Sequence, residues 1–295
     1  MKIIKNILAG ALLLFTSLTF AQQESLFTTY RYNMNLVNPA YVGVDRETAV
    51  SSTFRNQWTG IQDAPQTQAV SFGTPIGKNL GIGLSMVYDK TFVEKQTQVG
   101  LDISYKIQVS AFTDLYLGIK AGGNSYSVNT SGLETYNHQS DPALNSISQF
   151  NPNVGVGALL KNDKFYASLS VPRLLNTERA KTENGYATAA TDRPHIYLSG
   201  GYNFDFETLT PLVLKPSFMM RYVNGAPISL DVNAMLQIDE FLEIGGMYRI
   251  DKAYGAIGGV TISKLLTVGY AYEISTQTQL ARVRNTNEFF LRFKF

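Results

Sequence analysis

The sequence predicts an all-β protein, a transmembrane antiparallel β-barrel of about 14 strands preceded by an irregular N-terminal segment. Three observations lead to this prediction. Residues 285–295 place an apolar row on one face of a strand and charged residues on the other, and the same two-residue period recurs along most of the chain. After residue 21, no stretch reaches the roughly 20 apolar residues that a membrane-spanning helix requires. Only a closed barrel leaves no strand edge unpaired in lipid.

The last strand has one apolar face and one charged face, as expected for a strand between lipid and a polar interior. Its apolar face carries Phe289, Leu291, Phe293 and Phe295. Its other face carries Glu288, Arg292 and Lys294. An amphipathic final strand that ends in Phe is similar to the signal by which bacterial outer-membrane proteins reach their insertion machinery. Phe293 and Phe295 are therefore predicted to form the membrane-insertion signal.

Residues 1–21 have the three parts of a secretory signal peptide: basic residues up to Lys5, an apolar run over 7–20 and a cleavage site that ends at Ala21. The chain has no Cys, which excludes disulfides, thiolate chemistry and the lipoprotein route. Cleavage after Ala21 removes Lys2 and Lys5, so the 25 basic and 23 acidic residues become equal in number. A nucleic-acid partner is therefore not expected.

Residues 22–46 form a separate region before the barrel, which we expect over residues 47–295. They show no strand period, and Asn38-Pro39 and Gly43 interrupt regular structure. A segment rich in Tyr and Asn stays ordered only by packing on the barrel interior or on a partner. The candidate plug or partner-binding residues of this segment are Tyr32, Asn33, Asn38, Pro39 and Tyr41. Two more candidates are Arg55, at the end of the first predicted strand, and Trp58, just past it. Trp58 is also placed for a membrane interface and for a cation–π contact with Arg55.

The remaining chain divides into strands and connections of two kinds. Strands are predicted over residues 48–55, 67–73, 80–89, 97–108, 114–128, 153–160, 165–171, 196–204, 212–222, 228–238, 241–250, 254–262, 265–274 and 286–295. Counted along the chain, the even-numbered connections between strands are tight, as at 161–164 and 263–264, and the odd-numbered connections 129–150 and 172–194 are long. Short odd-numbered links near Asn224 and Asp251 are exceptions. Short turns face the periplasm and longer loops face outward in such barrels, so the N-terminus is predicted to be periplasmic.

The inward faces of the strands carry charges of both signs. They include Asp102, Lys106, Lys120, Lys215, Arg221, Asp231, Glu243, Arg249, Glu273, Glu288, Arg292 and Lys294. A catalytic or ion-selecting cluster is one interpretation, and a paired polar lining of the lumen is the simpler one. His138 and His195 are the only histidines, in or beside long loops, with no catalytic motif around them. Loop acids such as Asp141 show no calcium-loop spacing, so we expect no bound metal. Because no catalytic motif is present, we also expect no enzyme activity and no cofactor.

Several motifs resemble one family, the PorP/SprF outer-membrane proteins of Bacteroidetes. The opening runs Tyr32-Asn33-Met34-Asn35 to Asn38-Pro39-Ala40-Tyr41-Val42-Gly43, then Arg55-Asn56-Gln57-Trp58 and Pro65-Gln66-Thr67. Later matches are Arg193-Pro194-His195-Ile196-Tyr197, Lys215-Pro216-Ser217, Asp231-Val232-Asn233, Gly269-Tyr270-Ala271-Tyr272 and Glu288. Where the family commonly has His before that acid, this chain has Asn287.

The resemblance implies a non-enzymatic barrel of the type IX secretion and gliding apparatus in the cell outer membrane. Its partners would be outer-membrane lipid and either secretion components or the C-terminal domain of a large secreted adhesin held at the cell surface. A different hypothesis follows from the barrel alone: a passive channel for a small solute. Ion conductance distinguishes the two.

Overall fold

The computed structural model describes residues 27–130, 147–178, 191–206, 208–277 and 285–295. The predicted signal peptide with its cleavage site at Ala21, residues 22–26, His138, Asp141 and most of the long loops lie outside the described residues. Among those that are described, no helix is long and apolar enough to cross a membrane.

Seventeen strands are described, and their bounds follow in chain order. They are β1 Ala49–Gln57, β2 Gln66–Ile76, β3 Leu80–Thr91, β4 Glu94–Gln108, β5 Asp114–Val128, β6 Ile147–Lys161, β7 Phe165–Val171, β8 Thr177–Glu178, β9 Thr191–Asp192, β10 His195–Tyr202, β11 Phe204–Phe206, β12 Leu212–Val223, β13 Ser229–Ile238, β14 Leu242–Arg249, β15 Ala253–Ile262, β16 Leu266–Ser275 and β17 Asn285–Lys294.

The strands form a closed antiparallel barrel of 14 strands, which confirms the predicted fold class. β1 closes the ring against β17, in a register that runs from Ala49 opposite Lys294 to Gln57 opposite Thr286. β10 and β11 are two pieces of one position in the wall, since both pair with β12. β8 and β9 form a separate hairpin within the long β7–β10 connection.

Alternation along each strand separates two surfaces. On β4, Leu101 is 60% exposed and its neighbour Asp102 is 1% exposed, and the next pair, Ile103 and Ser104, repeats this contrast. Strand side chains point to opposite faces in turn, so the exposed apolar row faces outward and the buried polar row faces the lumen. The outward row therefore forms the lipid-facing surface of the barrel.

The two ends of the barrel have different connections. One end has short turns, at residues 77–79, 109–113, 162–164, 239–241 and 263–265. The other carries the longer connections, at 58–65, 129–146 and 172–194, together with short links at 92–93, 224–228 and 250–252. Short turns are periplasmic in bacterial barrels, so we name these the periplasmic end and the outer end. β1 starts at the periplasmic end, as predicted. Thr28, near the start of the described chain, instead lies near the outer end, where it bonds to Glu288, so the predicted periplasmic N-terminus applies to the first strand and not to the segment before it.

Several strands are longer than their alternation predicts. β6 starts at Ile147, whereas the alternating pattern starts at 153. Residues 147–152 mix the polar Ser148, Gln149 and Asn151 with Ile147, Phe150 and Pro152, and they pair with the end of β5 at the outer end of the barrel. A strand that rises above the lipid has water on both faces, so its sequence has no reason to alternate. β4, β5 and β6 each reach 15 residues and form the tallest part of the wall.

His195, which the sequence placed beside a long loop, is a buried residue of a strand. It is the first residue of β10, is only 5% exposed, and its ring centroid lies 6.3 Å from that of Tyr197. β10 starts one residue earlier than predicted, and the two-residue period then directs His195 inward together with Tyr197 and Ser199.

Residues 27–46 form no strand. They form four short 3-10 helices, Tyr30–Tyr32, Met34–Leu36, Pro39–Tyr41 and Val44–Arg46. We call residues 27–46 the lumen segment, because its side chains pack on inward-facing residues of the wall. Phe27, Tyr30 and Met34 form one buried cluster with Ala69, Tyr197 and Met219 of the wall.

Candidate functional site in the barrel lumen

Asn38 joins the lumen segment to the wall through both ends of its amide. Its Oδ1 accepts the backbone N–H of Ala40 at 2.8 Å, which caps the 3-10 helix that begins at Pro39. Its Nδ2 donates to the carbonyl of Ala158 at 3.1 Å and to Oγ of Ser168 at 2.8 Å. Asn38 is fully buried, so these bonds replace water that the amide has lost.

The wall beneath this helix is made of glycine. A Cβ at Gly157 would lie closer than 3.0 Å to Oδ1 of Asn38, and one at Gly118 would lie as close to the backbone of Ala40. A Cβ at Gly81 would likewise lie closer than 3.0 Å to the carbonyl oxygen of Val42. Real Cβ atoms do not approach other atoms so closely, so Asn38, Ala40 and Val42 can take these positions only because the wall has glycine beneath them. These inward glycines could have been found from their parity on the predicted strands.

The start of the lumen segment is held by Glu288 of β17. Its carboxylate accepts the backbone N–H groups of Thr28 at 2.9 Å and Thr29 at 2.8 Å, and the hydroxyl of Thr29. Arg55 of β1 donates to the same carboxylate at 2.9 Å, and both side chains are 1% exposed. Charge-assisted hydrogen bonds are stronger than neutral ones, so this carboxylate fixes the first described turn of the chain.

Arg55 belongs to a larger buried ion-pair network on β1, β13, β14, β16 and β17. Arg55 lies 3.2 Å from Glu273, and Arg249 lies 3.2 Å from the same carboxylate. Arg249 also pairs with Asp231 at 2.9 Å. Thr28 adds a hydroxyl bond to Glu273 at 2.7 Å. Loss of one partner would leave an uncompensated buried charge, so the network depends on all of its members.

Tyr32 is held between an aromatic ring and a carboxylate. Its ring stacks on Phe290 of β17, with centroids 4.0 Å apart and planes 18° from parallel. Its hydroxyl donates to Glu243 at 2.5 Å. Burial of the phenol, and then the negative charge of Glu243, raise the pKa of Tyr32 well above its ordinary value. Phe290 was not among the predicted site residues, although it is an aromatic residue on the otherwise charged face of the last strand, and that position could have marked it.

Wall side chains satisfy the backbone carbonyls that the short 3-10 helices leave free. Lys120 donates to the carbonyl of Asn35 at 3.1 Å, and Nζ lies 3.3 Å from Asp102. Ser104 donates to the carbonyl of Val42 at 2.5 Å, and Ser170 to that of Val37 at 2.7 Å. A further short bond joins Oγ of Ser71 to Oδ1 of Asn33. The described inward charges thus serve as partners for the segment and for each other.

The structure brings six of the seven candidate plug residues into the lumen: Tyr32, Asn33, Asn38, Pro39, Tyr41 and Arg55. Burial also raises the pKa of the Tyr41 phenol well above its ordinary value. Trp58 lies apart, in the β1–β2 connection, with φ at 52°. The suggested Arg55–Trp58 cation–π contact is wrong, because Arg55 points inward to its carboxylates. The cation–π contact recorded among the described residues joins Arg31 and Tyr32 at 5.5 Å.

Phe293 and Phe295 lie at the periplasmic end of β17, on the outer surface. Their ring centroids are 4.7 Å apart, and Phe295 is 72% exposed. The backbone N–H of Phe295 donates to the carbonyl of Thr48 at 2.9 Å, across the β1–β17 seam. Asn287, where the family commonly has His, bonds to Tyr270 and Thr59 on the outer surface, at 2.5 and 2.6 Å.

The polar side chains of the lumen form ion pairs and hydrogen bonds. Within the described ranges, no group of three or more His, Cys, Asp or Glu side chains is placed to hold a metal ion. The titratable side chains of the lumen contact one another and the lumen segment, as the ion pairs above show. A closed 14-stranded wall, an apolar outer surface and a charge-paired interior define a transmembrane β-barrel of the outer-membrane type.

The comparisons with known proteins agree with this class. The family model of "Type IX secretion system membrane protein PorP/SprF" matches residues 19–293. The chain belongs to the PorP/SprF family, and it is an outer-membrane component of a type IX secretion system. A comparison with curated proteins found no match.

Solved structures similar to this chain are outer-membrane barrels. Omp33 of Acinetobacter baumannii has a TM-score of 0.52 at 9% identity, over 86% of this chain and 100% of that one. The daunomycin complex of Salmonella typhi OmpF has a TM-score of 0.39 at 11% identity, over 84% and 97%. The KdgM porin with disordered oligogalacturonate has a TM-score of 0.40 at 8% identity, over 84% and 99%. At 9% identity the likeness to Omp33 concerns the fold alone.

Proposed function

We propose that this barrel is a non-enzymatic docking component of the type IX secretion system. It binds secretion machinery, or it holds the C-terminal domain of a secreted adhesin at the cell surface in a gliding bacterium. Membership of the PorP/SprF family supports the system in which it acts. We also propose that residues 1–21 are a signal peptide removed after Ala21. Mass spectrometry of the N-terminal peptide of the purified protein tests this cleavage site.

One observation carries the docking role: the lumen is occupied by part of the same chain. The lumen segment runs from Thr28, near the outer end of β17, to Val44, near the periplasmic end, and it seats on Gly81, Gly118 and Gly157. A solute channel needs continuous space through its lumen. A barrel filled by its own buried and hydrogen-bonded residues instead offers its outer loops and its periplasmic end to other proteins.

The test compares the intact protein with a variant that lacks residues 23–42. The intact protein is expected to give no steady ion conductance in planar bilayers, and the shortened barrel is expected to insert and conduct. Cells that carry the shortened form are expected to lose surface display of one large secreted protein. A steady open pore in the intact protein, together with normal surface display in a knockout strain, would favour a solute channel.

A further inference from the structure

A cavity of about 220 Å³ lies between the lumen segment and the periplasmic end of the wall. Its lining includes Arg31, Tyr41, Lys161, Tyr166, Lys215 and Arg292. Lys161 is the last residue of β6, next to a periplasmic turn, and Lys215 lies near the start of β12 at the same end. Residues of the lumen segment, from Arg31 to Asp45, form one side of the cavity, and inward-facing residues of the wall form the other.

The lining has more positive than negative charge. Its cations are Arg31, Lys161, Lys215 and Arg292, and its carboxylates are Asp45 and Glu47. Lys161 pairs with Asp45, and Arg292 lies 3.2 Å from Glu47. These two pairs account for both lining carboxylates. Arg31 and Lys215 therefore have no carboxylate partner among the lining residues.

Arg31 and Lys215 share one carboxylate. Nζ of Lys215 lies 2.9 Å from Glu243, whereas the Arg31 guanidinium reaches only 4.0 Å from it. Glu243 also accepts the hydroxyl of Tyr32 at 2.5 Å. Nη1 of Arg31 is buried and has no hydrogen-bond partner among the described residues. Because its guanidinium approaches Glu243 no closer than 4.0 Å, Arg31 keeps positive charge that an anion in the cavity would pair with.

Apolar and aromatic surface lies beside these cations. Tyr41 and Tyr166 meet edge to face with ring centroids 6.4 Å apart, and Met34 and Pro216 also line the cavity. The volume is several times the ~30 Å³ share of one water molecule, so it has room for more than a simple inorganic anion. The chemistry that fits both parts is a short peptide with acidic and apolar side chains.

We propose that this cavity binds an acidic peptide segment of a periplasmic partner protein, with a carboxylate on Arg31 and Lys215. The inference rests on the proposed docking function and names the chemistry of the partner at the periplasmic end. Charge complementarity selects a carboxylate, and the aromatic surface selects a peptide over a free anion.

The test measures binding of a labelled pentapeptide, Gly-Tyr-Leu-Asp-Glu with a free C-terminus, to the full-length protein in detergent micelles by fluorescence anisotropy. Its neutral counterpart is Gly-Tyr-Leu-Asn-Gln amide. The acidic peptide is expected to bind, more weakly at high salt, and the neutral one to bind at least about tenfold more weakly. Arg31→Gln and Lys215→Gln are each expected to weaken acidic-peptide binding about tenfold.

Two further variants separate binding from folding. Lys264→Gln removes a cation that is 80% exposed on a periplasmic turn, and it is expected to leave peptide binding unchanged. Asp45→Asn releases Lys161 from its pair and is expected to tighten binding severalfold, a gain that a misfolded barrel cannot produce. Heat-modifiable migration on gels checks that every variant forms the barrel.

Three results would overturn the inference: no binding by the intact protein, equal binding of the two peptides, or inorganic phosphate competing as well as the acidic peptide. Failure of the inference alone would show as lost peptide binding with a non-conducting barrel and normal surface display. Failure of the docking function would show as an open pore in the intact protein, whatever the peptide result.

Discussion

Glu288 accepts the backbone N–H of Thr28 at 2.9 Å, and this bond joins residues 260 positions apart in the chain. It ties the last strand of the barrel to the first turn of the lumen segment. Arg55, from the first strand, completes the contact. Closure of the ring and seating of the lumen segment therefore depend on the same buried carboxylate.

We expect Glu288→Gln to loosen the lumen segment, because Arg55 and the two Thr N–H groups lose a charged acceptor. Removing one partner of a buried ion pair costs about 3–5 kcal/mol, and the amide recovers part of this. The readouts are unfolding in guanidinium, with the protein in lipid vesicles, and brief conducting events in planar bilayers. Glu240→Gln is the control, because Glu240 forms an exposed pair with Lys264 at 2.5 Å. Equal behaviour of both variants would remove Glu288 from this role.

We expect Gly157→Ala to displace the 3-10 helix that begins at Pro39, because the added Cβ would collide with Asn38. The variant is expected to form a barrel and to show increased conductance and faster protease cleavage within residues 27–46. Gly258→Ala is the matched control, since the nearest atom to its added Cβ is 4.0 Å away. A closed, protease-resistant Gly157→Ala barrel would contradict the proposed seat.

The outer surface is expected to tolerate charge poorly. Leu101→Arg, at a position 60% exposed on the lipid face, should cost roughly 2–4 kcal/mol in folding stability if it lies near the midplane of the membrane. Gln98→Arg, on the inward face of the same strand beside a cavity of about 60 Å³, should cost much less. Equal losses, measured by unfolding in lipid vesicles, would count against this division of faces.

Phe295 contributes an exposed aromatic ring and a backbone hydrogen bond, and one deletion and two substitutions separate these contributions. Removal of Phe295 loses both its exposed ring and the backbone bond to Thr48, so membrane assembly is expected to be impaired. Phe295→Ala keeps the backbone bond and loses the ring. If the aromatic signal matters, both variants slow the appearance of the heat-modifiable form in cells, and Phe295→Tyr does not. Normal assembly of the deletion would refute the insertion signal.

Stability is expected to fall above pH 10, because the pKa of Tyr32 is raised in the folded protein from its ordinary value of 10.0. Above that value an unfolded Tyr32 loses its proton, whereas the folded one keeps it, so rising pH favours the unfolded state. Tyr32→Phe should be less stable at neutral pH, since it loses the bond to Glu243, and its stability should fall less between pH 9 and 11. Parallel pH profiles would show that Tyr32 does not contribute.

The barrel could be predicted from local pattern. Alternation in β16 and β17 reports lipid on one side and a polar lumen on the other, and this environment acts on every residue of a spanning strand. Where that environment ends, prediction failed. The first six residues of β6 were missed, and His195, expected beside a long loop, is instead the buried first residue of β10.

The position of the lumen segment was decided by tertiary structure. Motif and composition marked Asn38 and Tyr32, but no local pattern shows that Gly157 lies under Asn38 or that Phe290 stacks on Tyr32. Arg55 seemed a neighbour of Trp58 because the two are close in sequence, yet its partners Glu273 and Glu288 come from the far end of the chain. The physical reason is that ring closure places β1 beside β17. The buried Arg55 must be paired, and closure brings Glu273 and Glu288 within reach of it.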